Sequence, residues 1–250
     1  MMNEHVVVSI ADGVNTLRLD RLDRQNALTG QMFDMLSDAL AFGESSSRVR
    51  CFLLAGMPGV FTAGHDVGEL RTYAEAGVIG ESATHFLKTL AMLEKPVVAA
   101  VDGIAVGVGT AMLLHCSYVV ASEWSTFSAP FVDLGMSPEG GCSLLGPRIM
   151  GMQRSFELFV MGEQFDAQRA WQAGFVNKVV PPENVESVAE ASARALAAKP
   201  PEAVRAALRL MRGDRLDIAR RVDTEATAFS DLLRSPAARD TLQAFINRHR

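Results

Sequence analysis

Apolar runs that do not alternate with polar residues constrain this chain more than any other feature of its sequence. Val49–Ala55 and Pro96–Val101 are largely continuous apolar segments of strand length, and segments with helical spacing lie between and around them. A strand that is apolar at successive positions is buried on both faces, which is typical of a parallel sheet covered by helices. The succession of helix, buried strand, helix and buried strand therefore predicts an α/β fold.

The N-terminal segment is predicted to begin with a β-hairpin. His5–Ile10 and Val14–Leu19 are β-rich runs, and the Ala-Asp-Gly between them is a turn signal. Thr29–Phe42 has apolar residues at helical spacing, with Thr29 as the expected N-cap. The Met and Phe residues of this helix, and those of Phe156–Met161, are predicted to belong to the core.

The second half of the chain is predicted to become helical. Val67–Glu94 is expected to contain two helices broken near Gly77–Gly80, and Val176–Val180 is the last strand signal. The amphipathic segments that follow are Ala189–Ala198, Glu202–Met211, Ala219–Leu233 and Pro236–Ile246. We therefore expect an α/β core over residues 1–195 and a C-terminal helical region over residues 196–250.

Composition excludes several classes of function. The 250 residues are 48% apolar and carry a net charge of −5, which argues against nucleic acid as the main partner. The three cysteines are far apart and form no CxxC pair, so neither a disulfide framework nor a metal site is expected. Gly103–Ser122 has no formal charge over 20 residues, but glycines and polar residues interrupt it. We expect a soluble, cytoplasmic protein.

Glu139 is a lone carboxylate in a stretch whose composition is typical of buried structure. It is the only charged residue between Leu134 and Pro147, and no Lys or Arg occurs between Pro96 and Pro147. A carboxylate in apolar surroundings has its pKa raised, which suits it to exchange protons near neutral pH. The alternative is a structural residue in a first helical turn, since an acid just after Pro138 also favours a helix start.

Three glycine-containing segments carry the other candidate chemistry. They are Phe61-Thr-Ala-Gly-His-Asp66, Asp102-Gly-Ile-Ala-Val-Gly-Val-Gly109 and Ser137-Pro-Glu-Gly-Gly141. Glycine lets the backbone approach a ligand closely, and the first N–H groups of a helix have no intrahelical acceptor. Two such donors converging on one point would stabilise an oxyanion. Neither of the first two segments has the spacing of a dinucleotide fingerprint or a P-loop.

Taken together and in this order, the three segments resemble the crotonase superfamily of acyl-CoA enzymes. The resemblance extends over essentially the whole chain and includes Asn26-Ala-Leu28, Lys95-Pro-Val-Val-Ala-Ala-Val-Asp-Gly103, Thr126-Phe-Ser-Ala-Pro130 and Gly174-Phe-Val-Asn-Lys178. It implies an α/β fold of repeated ββα units with a C-terminal helical region. It also implies an acyl-CoA substrate, no separate cofactor, and a homotrimer or a dimer of trimers.

The resemblance assigns roles to individual residues. In this family the thioester carbonyl lies between two backbone N–H groups, which correspond here to those of His65 and Val108. The residues expected to bind the acyl-CoA are Ala27, Ala63, Gly64, Asp66, Val67, Gly107 and Asp133. No metal ligand is expected.

The pattern of acids favours one activity within the family. Typical hydratases carry two glutamates, but the matching positions here resemble Ala111 and Phe131, which cannot transfer a proton. Glu139 lies where the peroxisomal type of Δ3,Δ2-enoyl-CoA isomerase carries its catalytic glutamate, and one base is enough to move a double bond. We therefore predict isomerisation of 3-enoyl-CoA to trans-2-enoyl-CoA. The alternatives are an enoyl-CoA hydratase or other acyl-CoA lyase using Glu139, with Asp133 as a second acid, and a non-catalytic acyl-CoA binder.

Three further side chains have structural interpretations that compete with functional ones. Asp66 is expected mainly to cap the helix that follows it. His65 is expected to contribute its backbone, with an imidazole that only lines the CoA groove. His115, late in an apolar helix, is expected to be a hydrogen-bonded core histidine.

Overall fold

The computed structural model describes residues 5–76 and 80–248 and shows an α/β fold built on two sheets. Strands of the larger sheet are β1 (Val6–Ala11), β2 (Val14–Leu19), β3 (Cys51–Ala55), β5 (Val97–Val101), β7 (Tyr118–Ser122) and β10 (Lys178–Val180). Strands of the smaller sheet are β4 (Val60–Thr62), β6 (Ile104–Val106), β8 (Thr126–Ser128) and β9 (Phe165–Asp166).

The larger sheet explains the continuous apolar runs. Its order is β1-β2-β3-β5-β7-β10, and every neighbouring pair is parallel except the β1–β2 hairpin. Along β3, Phe52 and Leu54 belong to the main core, whereas Cys51 and Leu53 pack with a second cluster that contains apolar residues of a helix over 185–197. Both faces of this strand are therefore buried, as the sequence predicts.

The smaller sheet gives the fold its repeating unit. Strands β4, β6 and β8 are parallel to one another. Each comes directly after a strand of the larger sheet and is joined to it by a short turn: β4 follows β3, β6 follows β5, and β8 follows β7. The expected ββα repeat is therefore present. After β5 the chain turns at Gly103, whose φ is +81°, and adds the short strand β6 before α4 begins.

Helices cover both sheets and form the C-terminal region. Their bounds are α1 (Gly30–Ser45), α2 (Val67–Ala76), α3 (Ser82–Met92), α4 (Val108–Leu113), α5 (Cys142–Met150), α6 (Met152–Phe159), α7 (Ala167–Ala173), α8 (Val185–Ala197), α9 (Pro201–Arg212), α10 (Arg215–Leu233) and α11 (Pro236–Arg248). Thr29 caps α1 as predicted, because its hydroxyl accepts the Met32 N–H at 3.3 Å. Of the predicted break at Gly77–Gly80, residues 77–79 lie outside the described residues.

Of the C-terminal helices, α10 and α11 pack on the rest of the fold, whereas α9 buries none of its residues. The expected boundary at residue 195 falls inside α8, which contacts β3, β5 and β7, while α10 packs on α3 and α5, and α11 on α2. In the part of the chain that the structure describes, every helix is too short or too polar to cross a membrane.

The core interpretation of the Met and Phe residues holds for only some of them. Met32 and Phe33 are buried in the main core. Phe42, Phe156 and Met161 are instead 51–54% exposed. Helical spacing identified the helical segments correctly. However, some of their large apolar side chains lie outside the helix face that packs against the core.

Two glycines let the first two glycine-containing segments pack directly against each other. Gly64 has a φ of +86°, and a Cβ there would lie 2.5 Å from the carbonyl oxygen of Val106. A Cβ at Gly109 would lie 2.4 Å from Cγ2 of Thr62. Side chains at these positions would push β4 and the β6–α4 junction apart, so both glycines are required for the two segments to meet.

We expect Gly64→Ala to destabilise the protein more than Gly59→Ala. Both glycines have a left-handed φ, near +80°, so each alanine bears a backbone cost of about 1–2 kcal/mol. Only Gly64 faces a backbone oxygen at clash distance, whereas nothing lies within 4 Å of a Cβ at Gly59. The clash should add about 1–3 kcal/mol to the loss of unfolding free energy, measured by urea denaturation. Equal losses for the two variants would show that the close approach does not constrain the fold.

Candidate active site

A pocket lies where α2, α3, α10 and the loop before α5 meet. Phe33, His65, Glu69, Glu139 and Phe229 are among the residues that line it. Glu139 comes from the third glycine-containing segment and His65 from the first, so the fold brings together two of the segments that the sequence singled out.

The backbone N–H of His65 points away from the neighbouring chain segment. Leu28 donates its N–H to the carbonyl oxygen of Gly64 at 2.7 Å and accepts the N–H of Asp66 at 2.9 Å. In this parallel pairing the residue between the two bonded positions, His65, directs its own N–H to the opposite side. The arrangement leaves that donor available to a ligand.

Val108 presents a second backbone donor. It is the first residue of α4, after Gly107, whose φ is +56° and whose carbonyl oxygen accepts the N–H groups of Thr110 and Ala111. The N–H of a first helical residue has no acceptor within its own helix. Because Gly64 packs against Val106, the segments that carry the Val108 and His65 donors are adjacent in space.

Glu139 has a basic partner, although no basic residue lies near it in sequence. His65 Nε2 lies 2.7 Å from Glu139 Oε1, and the two residues are 74 positions apart in sequence. The expectation that the His65 imidazole only lines the CoA groove is therefore wrong. The sequence around Glu139 does not reveal this partner, because the fold brings His65 to it from a segment 74 residues earlier.

The environment of His65 favours its protonated form. The ring lies between two aromatic rings, with centroid distances of 5.2 Å to Phe33 and 6.2 Å to Phe229. Burial works to lower the pKa of His65, but the charge and hydrogen bond of Glu139, helped by Glu69, raise the pKa overall. Nε2 therefore carries a hydrogen and donates it to Glu139.

The Glu139 carboxylate is buried and lies in a loop rather than a helix. Only 7% of the residue is exposed, and α5 begins three residues later, at Cys142. The alternative interpretation as a first-turn helix residue is therefore wrong. Oε1 contacts His65, while no hydrogen-bond partner of Oε2 lies within residues 5–76 and 80–248.

Asp66 is a capping residue, as the sequence predicts. Its Oδ1 accepts the N–H groups of Gly68 and Glu69, and its Oδ2 accepts a hydrogen bond from Arg21 at 2.7 Å. Burial works to raise the pKa of Asp66, but the bond from Arg21 and those from the two amides lower it overall. Both of its oxygens are therefore engaged within the protein.

Glu69, which no sequence pattern singled out, also lines the pocket. Its Oε2 accepts the N–H of Gly30, the first residue of α1, at 2.8 Å. The contact ties α2 to α1 and places a second acid near His65. Its spacing three residues after Asp66 could have suggested a shared role at the start of α2.

Several predicted binding residues lie along the paired segments 25–28 and 61–66. The N–H of Ala63 bonds to the carbonyl oxygen of Gln25, and the Ala27 carbonyl oxygen accepts a hydrogen bond from Arg21. Asn26 holds the segments together, because its side-chain amide donates to the carbonyl oxygens of Val60 and Phe61. Val67 begins α2 and packs against the core.

Of the predicted site residues, His65, Asp66 and Glu139 line the pocket, whereas Val108 and the other predicted binding residues are not among its lining residues. Ala111 and Phe131, the positions matched to the usual hydratase glutamates, are buried apolar side chains. Asp133 is exposed and lies against Gly162, so the structure does not bring it to Glu139. His115 is a hydrogen-bonded core histidine, as predicted, with Nε2 2.6 Å from the carbonyl oxygen of Gly140.

The chain is similar in sequence and in fold to several known proteins. The 1,2-epoxyphenylacetyl-CoA isomerase of Escherichia coli is 33% identical over 205 residues, which are 80% of this chain and 78% of that protein. The 4-chlorobenzoyl coenzyme A dehalogenase-1 of Arthrobacter is 33% identical over 79% of this chain and 74% of that protein. The structure of OdaA from Pseudomonas aeruginosa superimposes with a TM-score of 0.93 at 35% identity, covering 98% of this chain and 100% of that one.

The sequence pattern of the family described as Enoyl-CoA hydratase/isomerase matches residues 9–250, nearly the full length of the chain. Together with the parallel sheets, the ββα repeat and the paired glycine-containing segments, this match identifies the chain as a member of the enoyl-CoA hydratase/isomerase family.

Proposed function

We propose that this enzyme isomerises 3-enoyl-CoA thioesters to trans-2-enoyl-CoA thioesters, with Glu139 as the only proton carrier. The observation that carries the proposal is the buried Glu139 carboxylate, which lines the same pocket as His65 and keeps Oε2 without a partner among the described residues. Apolar residues occupy the two positions where a hydratase would carry its glutamates.

The proposed reaction moves one proton between two carbons. Glu139 Oε2 removes a proton from C2 of the substrate, and the electron pair of that C–H bond moves toward the thioester carbonyl to form a dienolate. The N–H groups of His65 and Val108 stabilise the negative charge that develops on the carbonyl oxygen. Glu139 then returns the proton to C4, the double bond becomes C2=C3, and the carboxylate is regenerated.

His65 contributes in two ways to this reaction. Its backbone N–H is one oxyanion donor, and its protonated imidazole holds Oε1 of Glu139 at 2.7 Å. With Oε1 held, the carboxylate can rotate less freely, which keeps Oε2 directed toward the substrate.

The activity is tested by supplying 3-enoyl-CoA and 2-enoyl-CoA separately and analysing the products by mass spectrometry. Isomerisation converts 3-enoyl-CoA into a product of the same mass that separates from it chromatographically and coincides with authentic trans-2-enoyl-CoA, whereas hydration of either substrate adds one water. We expect the first outcome. Hydration without isomerisation would contradict the proposal. The panel of test substrates also includes 1,2-epoxyphenylacetyl-CoA and 4-chlorobenzoyl-CoA, because the relatives named for these compounds are similar to this chain.

We expect Glu139→Gln to lower kcat by at least ~10²-fold while acyl-CoA binding is retained, because the amide cannot accept a proton. Asp133→Asn is the matched control, since it makes the same carboxylate-to-amide change outside the pocket. It should alter kcat by less than about twofold. Undiminished turnover in the Glu139 variant would rule out the proton-carrier role. A parent protein that binds acyl-CoA without turning over any of the panel would be a binder only.

His65→Gln should cost more stability at pH 6 than at pH 9. Contact with Glu139 raises the pKa of His65 above the value of about 6.5 in an unfolded chain. The stability that this contact contributes is therefore fully present below about pH 6.5 and is lost as the pH rises through the higher folded-state value. Urea unfolding at both pH values measures the difference.

The exposed His85→Gln is the control and should change stability by less than about 0.5 kcal/mol. Equal losses for His65→Gln at the two pH values would argue against a charged pair.

A further inference from the structure

The loop that carries Glu139 depends on contacts from outside itself. Gly140 and Gly141, which follow Glu139 directly, both have left-handed backbones, with φ values of +77° and +81°. Two successive glycines lose much conformational entropy when they are ordered. Glu139 itself has one side-chain hydrogen bond among the described residues, to His65. The backbone on its C-terminal side must therefore be held by other groups for the carboxylate to keep one position.

Glu225, on α10, supplies most of that support. Its Oε2 accepts the N–H of Gly141 at 2.5 Å, and its Oε1 accepts both the N–H and the hydroxyl of Ser143, at 2.8 and 2.5 Å. Gly141 is the N-cap of α5 and has no side chain with which to cap the helix. A carboxylate from a helix more than 80 residues later takes over the capping role.

Glu225 does not line the pocket, but its neighbours on α10 do. Ala226 and Phe229 line the pocket, one residue and one turn after Glu225. His115 holds the carbonyl oxygen of Gly140. Two buried side chains, Glu225 and His115, therefore clamp the backbone directly after Glu139, and α10 connects this clamp to the wall of the pocket.

We propose that Glu225 is a positioning residue that acts through Gly141 and Ser143 to fix the Glu139 carboxylate for proton transfer. The inference rests on the proposed role of Glu139 as proton carrier. It adds to the reaction a buried acid that touches neither the substrate nor the reacting atoms.

The three hydrogen bonds that Glu225 accepts from Gly141 and Ser143 depend on the ionised state of its carboxylate. An ionised carboxylate can accept all three hydrogen bonds, whereas a protonated one must turn a hydrogen toward one of the donors. Burial raises the pKa of Glu225, although the bonds from Ser143 and Gly141 and the nearby Arg221 oppose the increase. Other titratable groups near the clamp or on elements packed against α10 are Cys142 on α5, Glu139 and His115 along the loop, and the Lys88–Asp223 pair between α3 and α10.

The test is the kinetics of Glu225→Gln, whose amide mimics the protonated acid and places a donor against one of the two backbone N–H groups. We expect kcat to fall at least ~10-fold with KM changed by less than about threefold, because His65 and Val108 lie on other segments. Asp231→Asn, an exposed acid on the same helix, is the matched control and should leave both constants unchanged. An unchanged kcat in folded Glu225→Gln would overturn the inference.

The pH profile separates positioning from a general structural role. The kcat ratio of parent to Glu225→Gln should be larger near pH 8 than near pH 5, since acid protonates Glu225 in the parent and weakens its clamp as well. A ratio that stays constant over this range in folded protein would overturn the inference. If Glu225→Gln does not fold, Ser143→Ala removes one of the three hydrogen bonds. It should lower kcat by a smaller factor, and an unchanged kcat there would have the same meaning.

A double variant distinguishes failure of this inference from failure of the proposed function. If Glu225 acts through Glu139, adding Glu225→Gln to Glu139→Gln should cause less than about a twofold further loss of turnover. A full additional loss would show that Glu225 acts elsewhere, while the role of Glu139 would stand. Undiminished activity of Glu139→Gln alone would instead reject the proton carrier, whatever Glu225 does.

Discussion

The close approach of two backbone segments is the constraint on which the candidate site depends. Gly64 meets the carbonyl oxygen of Val106, and Gly109 meets Thr62, at distances that exclude a side chain. This contact joins the first two strands of the smaller sheet to the helix starts that follow them. Because of it, the N–H groups of His65 and Val108 belong to adjacent segments, and His65 also lines the pocket.

Buried polar contacts then organise the pocket from several parts of the chain. Asp66 and Arg21 fix the start of α2, Glu69 ties α2 to α1, and Glu225 caps α5. Each of the three carboxylates accepts at least one backbone N–H, and Asp66 also accepts a hydrogen bond from the Arg21 side chain. Such contacts are costly to break when buried, so they hold loops that glycines alone would leave loose.

Much of the fold could be predicted from the sequence, because its signals are local. The apolar run of β5, the turn between β1 and β2, and the Thr29 cap each depend on a few neighbouring residues. The resemblance implied ββα units, but the individual strands of the smaller sheet were not predicted from the residues, since they are two or three residues long and too short to show a period. The exposure of Phe42 and Phe156 was also missed, because packing decides which apolar residues of a helix meet the core.

The sequence by itself determined the α/β class and the glycine-containing segments, and it marked Glu139 as an acid without local basic neighbours. Periodicity, turn residues and composition are properties of short stretches, so they can be read in order along the chain. Only the tertiary structure decided that His65 contacts Glu139, that Asp133 lies elsewhere and that Glu225 holds the loop. These outcomes join residues up to 84 positions apart, and no local pattern encodes which distant side chain will arrive at a given loop.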